Sequence, residues 1–197
     1  GECIMPTPVT VWGGGGNRSL RVLWMLEELG VDYVVERVNP RNLGDRTPAF
    51  RAVSPHGKVP VLTHGDLVLN ESAVICNYLC DTFAPGKLTP KPGTLERTLH
   101  DALCFTIVAE IDSQGLYIHR KHVGLVDVYG PADSAVAVAK EYFTKHLKIL
   151  FEQPRSGPDG LLCGDRLTTA DVLCTHCLLW AHGIGWLPPR GELAAAH

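Results

Sequence analysis

The chain has 197 residues, enough for one large domain or two small ones with a sizeable core. Its 18 basic and 21 acidic residues leave a formal charge of −3, which excludes non-specific nucleic-acid binding as a main task. Hydrophobic residues make up an ordinary 45%, and the longest strongly apolar run, residues 22–26, is far too short to cross a bilayer, so no membrane partner is expected.

The first residues lack the charged and apolar regions of a secretory leader, so none is expected. Seven cysteines, an odd number and widely spread, suit a reducing cytoplasmic setting better than a disulfide scaffold. Residues 8–12, PVTVW, read as a short buried strand. Residues 17–30 read as a helix. Asn17 is an acceptable N-cap, Leu20, Leu23, Leu26 and Leu29 recur at near-helical spacing, and Gly30 is a stop. Residues 32–38 are β-branched and partly alternating, a second strand, so the opening is a β-α-β unit that favours a parallel pair. A short helical piece follows near 47–52. Residues 54–62 and 66–69 read as two further strands joined by the hairpin turn THGD, and 70–83 as a helix.

Residues 84–93 are rich in Pro and Gly and read as a linker, after which strand signals vanish. Leu95, Leu99, Leu103, Ile107 and Ile111 step by four along one face of a long helix. Another helix is expected over 131–153, ending before Pro154, and a third over 167–182. Its entry is well specified: Thr168 with Asp171 makes a capping box, and Leu167 with Val172 a hydrophobic staple. The organisation is a small α/β domain, a linker and an all-helical domain, with no internal repeat.

Several motifs bear on chemistry. GGGGNRSL, residues 13–20, lacks the Lys-Ser/Thr pair of a phosphate loop and the third glycine of a dinucleotide fingerprint. What survives is a turn presenting N–H groups at a helix N-terminus, suited to an anion, or a flexible turn and nothing more. In HGKVP, a cis Val59–Pro60 bond would turn the backbone of Val59 outward for an extended, peptide-like ligand; an edge proline is the plainer account. In NESA, Ser72 and first-turn N–H groups suit a carboxylate and Glu71 an ammonium group, together a site for an amino acid. Asn70 as cap with Glu71 on the helix dipole is the alternative. Cys174, His176 and Cys177 have metal-ligand spacing without a matching second pair, so buried thiols are expected there and at Cys76 and Cys80, and no metal. His119, Arg120, Lys121 and His122 complement a helix end or line a cleft.

Taken together, NRSLRVLWMLEELGVDY, SPHGKVPVL, LNESAVICNYL and CGDRLTTADV, in this order and spacing, give a chain that resembles the cytosolic glutathione transferase family over essentially its whole length. The resemblance implies α/β plus all-α architecture: a thioredoxin-like N-terminal domain over 1–83, a linker over 84–93, and a helical C-terminal domain over 94–197. It implies glutathione as cosubstrate, a small, mostly hydrophobic electrophile as second substrate, and a homodimer. Glu71 and Ser72 would bind the γ-glutamyl end, Val59 beside cis Pro60 the cysteinyl backbone, and Lys58 with His56 the glycyl carboxylate; Thr168 and Asp171 would be a helix cap.

At the thiol-activating slot, four residues before Arg21, many members of the resembled family carry Ser, some Tyr or Cys and some Asn in this region, and this chain carries Asn17. Its amide would donate to the thiolate, aided by the helix N-terminus and Arg18, with Ser19 as the rival. Tyr117 and Arg120 are expected on the electrophile cleft. Relatives generally continue through a further helix where this chain ends, so a more open cleft is expected. Disulfide or peroxide reduction or isomerisation on the same cosubstrate, and a non-enzymatic glutathione-binding module, stand as alternatives.

Overall fold

The computed structural model describes residues 8–39, 41, 42, 45–152 and 161–187. The chain divides into two compact units, Gly1–Thr94 and Leu95–His197. The stretch 84–93, expected as a linker, falls inside the first unit, where Leu88 and Thr89 are buried.

The first unit is built on a four-stranded sheet of order β2-β1-β3-β4, with β1 Val9–Gly13, β2 Tyr33–Arg37, β3 Val61–His64 and β4 Leu67–Asn70. β1 and β2 are parallel, as the β-α-β pattern requires; β3 is antiparallel to both β1 and β4. The crossover helix α1, Ser19–Leu29, buries Val22, Met25 and Leu26 against the sheet face that carries Val9, Val11 and Leu62. Each such side chain contributes about 1.5–3 kcal/mol when fully removed from water. α1 ends where the sequence says it should. Gly30 takes φ 65°, its N–H reaches Glu27 O at 3.1 Å, and the Val31 N–H reaches Leu26 O at 3.1 Å, which satisfies the last carbonyls. α3, Ser72–Phe83, covers the same face with Ile75, Cys76, Leu79 and Cys80. On the opposite face Phe50 of α2, Pro48–Val53, packs with Val38 and Val61, bordered by Trp12, Val53 and Val59.

Two boundaries differ from expectation. No strand runs through 54–60; β3 starts only after Pro60, which has no N–H to give a ladder. The helix expected from Asn70 begins at Ser72, because Asn70 pairs with Val61 as the last residue of β4. The hairpin turn is as expected: His64 pairs with Leu67 across Gly65, φ 61°, and Asp66.

In the second unit α4, Leu95–Thr106, runs into wider i→i+5 turns over Ile107–Leu116, an α-turn α5, Tyr117–His119, and a second wide segment, Arg120–Gly124. A short helix α6, Val126–Tyr129, precedes α7, Asp133–Glu152, and α8, Thr169–Gly183. The apolar face stepping by four is buried only in part: Leu95 is 70% and Leu99 61% exposed, whereas Ile107 and Ile111 are buried. A step of four overshoots a 3.6-residue turn, so the stripe winds from solvent into the core. α7 packs on the wide turns through Phe143, so closely that a Cβ on Gly115 would lie 3.0 Å from Phe143 Cβ. The α8 cap is as expected. The buried Asp171 carboxylate accepts the Thr168 N–H at 2.8 Å, the Thr168 hydroxyl at 2.7 Å and the Leu162 N–H at 2.7 Å. The expected end of α7 before Pro154 and any helix beyond 187 lie outside the described residues. Among the described residues no helix is long and apolar enough to cross a membrane.

Candidate active site

Ladder register decides which loops meet. Trp12 pairs with Val61, and Val61 with Asn70, so three strand ends lie side by side. The segments leaving them, 13–18, 59–60 and 71–72, therefore emerge at one end of the sheet. They hold most of the site residues expected from the sequence.

At the first segment, Gly13 has φ 145°, and a Cβ there would lie 1.9 Å from Ser19 Oγ and 3.4 Å from Val59 Cβ. Only a glycine lets β1, the start of α1 and Val59 approach this closely. Gly14, Gly15 and Gly16 face open space, so the four glycines are not equivalent. Ser19 is fully buried beneath Gly13, and its hydroxyl finds no hydrogen-bond partner among the described residues. Asn17 is half-buried, and its Oδ1 accepts the Ser19 N–H at 2.9 Å. α1 itself begins one position later than a cap at Asn17 would give, with the half-buried Arg18 at its N-cap. The bond from Ser19 occupies the oxygen of the Asn17 amide and leaves its two N–H donors on the other side.

The second segment is held by a residue the sequence did not single out. Buried Ser54 donates its hydroxyl to Lys58 O at 2.8 Å and accepts the Lys58 N–H at 3.0 Å. Gly57, φ 62°, closes the same turn with its N–H on Ser54 O at 2.9 Å. His56 and Lys58 are exposed, Pro60 is buried, and the Val59–Pro60 bond is cis. Val59 precedes the first ladder pair, so its peptide groups stand outside the sheet.

At the third segment Glu71 is exposed and has φ 69°, ψ 110°, the only non-glycine with positive φ among the described residues. Such a conformation costs of order 1–3 kcal/mol and persists only where the surroundings enforce it. Ser72 is buried at the first turn of α3, and its Oγ accepts from Arg21 Nη1 at 3.1 Å. Arg21 is 1% exposed, and its burial has no signal in the sequence around it. Cys76 donates its S–H to Arg21 O at 3.5 Å, and Cys80 contacts Met25 Sδ at 3.4 Å. Burial pushes the Cys76 thiol far above its ordinary value, Cys80 adds to this and Arg21 opposes it, so Cys76 is an inert interior thiol.

In the second unit Tyr117 lies under Arg120 at 5.6 Å and Lys121 at 5.1 Å, and Lys121 also faces Tyr129 at 5.9 Å. The basic run 119–122 is thereby divided. His119 packs edge-on to Trp186 at 5.1 Å, with its pKa lowered by burial, and His122 Nδ1 bonds Gly130 O at 2.9 Å. Cys174, His176 and Cys177 are buried on α8, and no metal-binding group of three His, Cys, Asp or Glu forms among the described residues.

A parallel β-α-β start, an antiparallel hairpin with a cis proline before it, and a covering α3 define a thioredoxin-like domain, followed here by a helical unit. The chain belongs to the glutathione S-transferase family. The glutathione S-transferase N-terminal domain family matches residues 17–82. Glutathione S-transferase 4 of Zea mays is 32% identical over 184 residues, 89% of this chain and 80% of that protein. A probable glutathione S-transferase of Oryza sativa subsp. japonica is 36% identical over 172 residues, 84% of this chain and 77% of that one. The theta class glutathione S-transferase of Xanthomonas axonopodis pv. citri, solved with glutathione bound, is 26% identical with a TM-score of 0.73, covering 98% of this chain and 91% of that chain.

Proposed function

We propose that the chain is a glutathione transferase that binds glutathione at the shared end of its sheet and attaches the thiolate sulfur to a small electrophile. The observation that carries this is the ladder register that brings the ends of β1, β3 and β4 together, so that the segments bearing Asn17, Val59 and Glu71–Ser72 leave the sheet at the same end. In this proposal the Ser72 hydroxyl and the first turn of α3 take the γ-glutamyl carboxylate, and the Glu71 carboxylate takes the ammonium group. Val59 offers its unladdered peptide to the cysteinyl backbone, while Lys58 and His56 take the glycyl carboxylate. Tyr117, with Arg120 and Lys121 over its ring, is the proposed wall for the electrophile.

Thiol activation falls to Asn17 rather than Ser19, whose hydroxyl is sealed under Gly13. A free thiol titrates near about 8.5; bringing it to about 6.5 needs roughly 2.7 kcal/mol of preference for the thiolate. A hydrogen bond to a charged group supplies about 1.5–3 kcal/mol and a helix N-terminus about 0.3–1 kcal/mol, so one Asn17 N–H and the start of α1 suffice, with Arg18 adding to them. The bound thiolate attacks the electrophilic carbon, a carbon–sulfur bond forms, and the leaving group departs with its electron pair. An amide has no proton to lose, so Asn17 acts only as donor.

Reduction of disulfides on the same cosubstrate is the competing reaction, but residues 13–20 contain no cysteine to carry a mixed disulfide. Homodimer assembly belongs to the same proposal and is tested by sedimentation. Isothermal titration with glutathione tests binding. Parallel assays with a chlorinated aromatic acceptor and with a mixed disulfide then separate transfer from reduction. Transfer by the wild type, lost in Asn17→Ala with the bound thiol pKa raised and retained in Ser19→Ala, is the expected result. Binding without either turnover overturns the proposal.

A further inference from the structure

The proposed ligand contacts leave one buried cation unused. Arg21 lies on α1, two residues past Ser19, and reaches across to a side chain 51 residues away, Ser72 Oγ at 3.1 Å. A hydroxyl has one proton and two acceptor positions. With Arg21 donating to Oγ from the α1 side, the Ser72 proton is directed elsewhere, toward whatever lies at the first turn of α3. Donation from a cation also withdraws electron density from the oxygen and makes that O–H a stronger donor. The guanidinium further sets a full positive charge behind a helix N-terminus that already carries a partial one. Its own backbone is tied to the same helix, because Arg21 O accepts from Cys76 of α3.

We propose that Arg21 is a positioning residue for the amino-acid end of the ligand. It fixes the Ser72 hydroxyl as a donor to the γ-glutamyl α-carboxylate, and it holds the helix that starts beside Asn17 to the helix that starts at Ser72. This inference rests on the glutathione proposal and deepens it. Arg21 touches no ligand atom; it acts through Ser72 and through its charge.

The test compares glutathione with γ-aminobutyryl-cysteinyl-glycine, which lacks only that α-carboxylate, in the full chain and in Arg21→Lys, Arg21→Gln, Ser72→Ala and Arg21→Lys/Ser72→Ala. In the wild type glutathione is preferred by about 10-fold or more, the worth of charge-assisted hydrogen bonds to one carboxylate. Arg21→Lys, whose compact ammonium cannot reproduce the guanidinium geometry, raises KM for glutathione by about 5- to 10-fold. Its kcat falls by much less, and the preference over the analogue narrows by the same factor as KM rises. Coupling through Ser72 appears as non-additivity: the double variant discriminates no worse than Ser72→Ala alone.

A folded Arg21→Lys that keeps the wild-type preference overturns the inference. So does full additivity, or an effect on the pH profile of the bound thiol with KM unchanged. Where Arg21→Lys does not fold, Arg21→Gln takes its place in the comparison; if neither folds, Ser72→Ala alone decides, and an unchanged preference in it overturns the inference. A wild type that binds neither peptide overturns the glutathione proposal and this inference with it, whereas binding with an Arg21-independent preference overturns only the latter.

Discussion

Gly13→Ala tests whether the approach of three segments at the end of the sheet is as tight as the geometry says. The added methyl would sit 1.9 Å from Ser19 Oγ, 2.8 Å from Ser19 Cβ and 3.4 Å from Val59 Cβ, at a residue with φ 145°. The backbone conformation alone costs a non-glycine residue about 1–3 kcal/mol. Overpacking against the first turn of α1 adds about 1–3 kcal/mol, since Ser19 is buried and cannot swing away without moving the helix. The expected loss of about 2–6 kcal/mol is a large part of the 5–15 kcal/mol typical of a domain. In a urea titration followed by circular dichroism, it lowers the first-unit midpoint by about 1 M or more. The next residue is the control. A Cβ on Gly14 meets nothing within 4 Å, so Gly14→Ala stays within about 0.5 kcal/mol of wild type. Ser19→Gly in the Gly13→Ala background removes the clash and leaves the backbone cost, so it recovers about half the loss. Equal midpoints for Gly13→Ala and Gly14→Ala would refute the packing described here.

Ser19→Ala deletes a buried hydroxyl with no partner among the described residues, so its urea midpoint is unchanged or raised; a loss above about 1 kcal/mol would mean the hydroxyl is bonded. Asp171→Ala removes the acceptor of three hydrogen bonds at the head of α8 and is expected to cost about 2–4 kcal/mol in the second unit, read by thermal unfolding. Cys163 reports the same change: its thiol pKa is raised by burial and then by Asp171, and it drops toward normal in that variant, as thiol-labelling rates across pH will show. Gly115→Ala pushes a methyl to 3.0 Å from Phe143 Cβ and is expected to cost about 1–3 kcal/mol in the same melt.

Burial lowers the imidazole pKa values of His100 and His119 below the ordinary 6.5, with Asp101 opposing the shift at His100. As pH falls through 6.5 the unfolded chain takes up protons that the folded chain does not. Stability contributed by these groups is therefore full above that pH, declines below it, and levels off beneath the folded values. Urea midpoints measured from about pH 8 to about pH 5 show this decline, and His100→Asn flattens it; a midpoint that rises on acidification contradicts the sign.

What the sequence made legible was local. Gly30 stops α1, Thr168 and Asp171 open α8, and the two-residue turn at Gly65–Asp66 closes a hairpin, all within a few residues of chain. Errors arose where a partner distant in sequence decides. Asn70 is a good cap by itself, yet Val61 draws it into β4, and the cap position passes to Glu71. Asn17 is favoured over Ser19 in the sequence by its slot alone; the close approach of Gly13 to the buried Ser19 hydroxyl depends on a fold contact that residue types do not reveal. Arg21 and Ser54 stayed hidden because their work is done through bonds to Ser72 and to the Lys58 backbone. The face stepping by four misled for a geometric reason, since each step overshoots a 3.6-residue turn and the drift over the regular helix carries Leu95 and Ile107 to opposite environments.

The backbone at Glu71 sets two kinds of selection against each other. Its φ of 69° is one that glycine adopts freely and a glutamate adopts under strain. Laboratory evolution for heat resistance alone should thus drift toward Glu71→Gly, gaining about 1 kcal/mol while discarding the carboxylate proposed to hold the ammonium group of glutathione. Persistence of the acid through a library screened for both traits, and its loss from one screened for heat resistance only, would make that single torsion a measure of how strongly ligand binding constrains this family member.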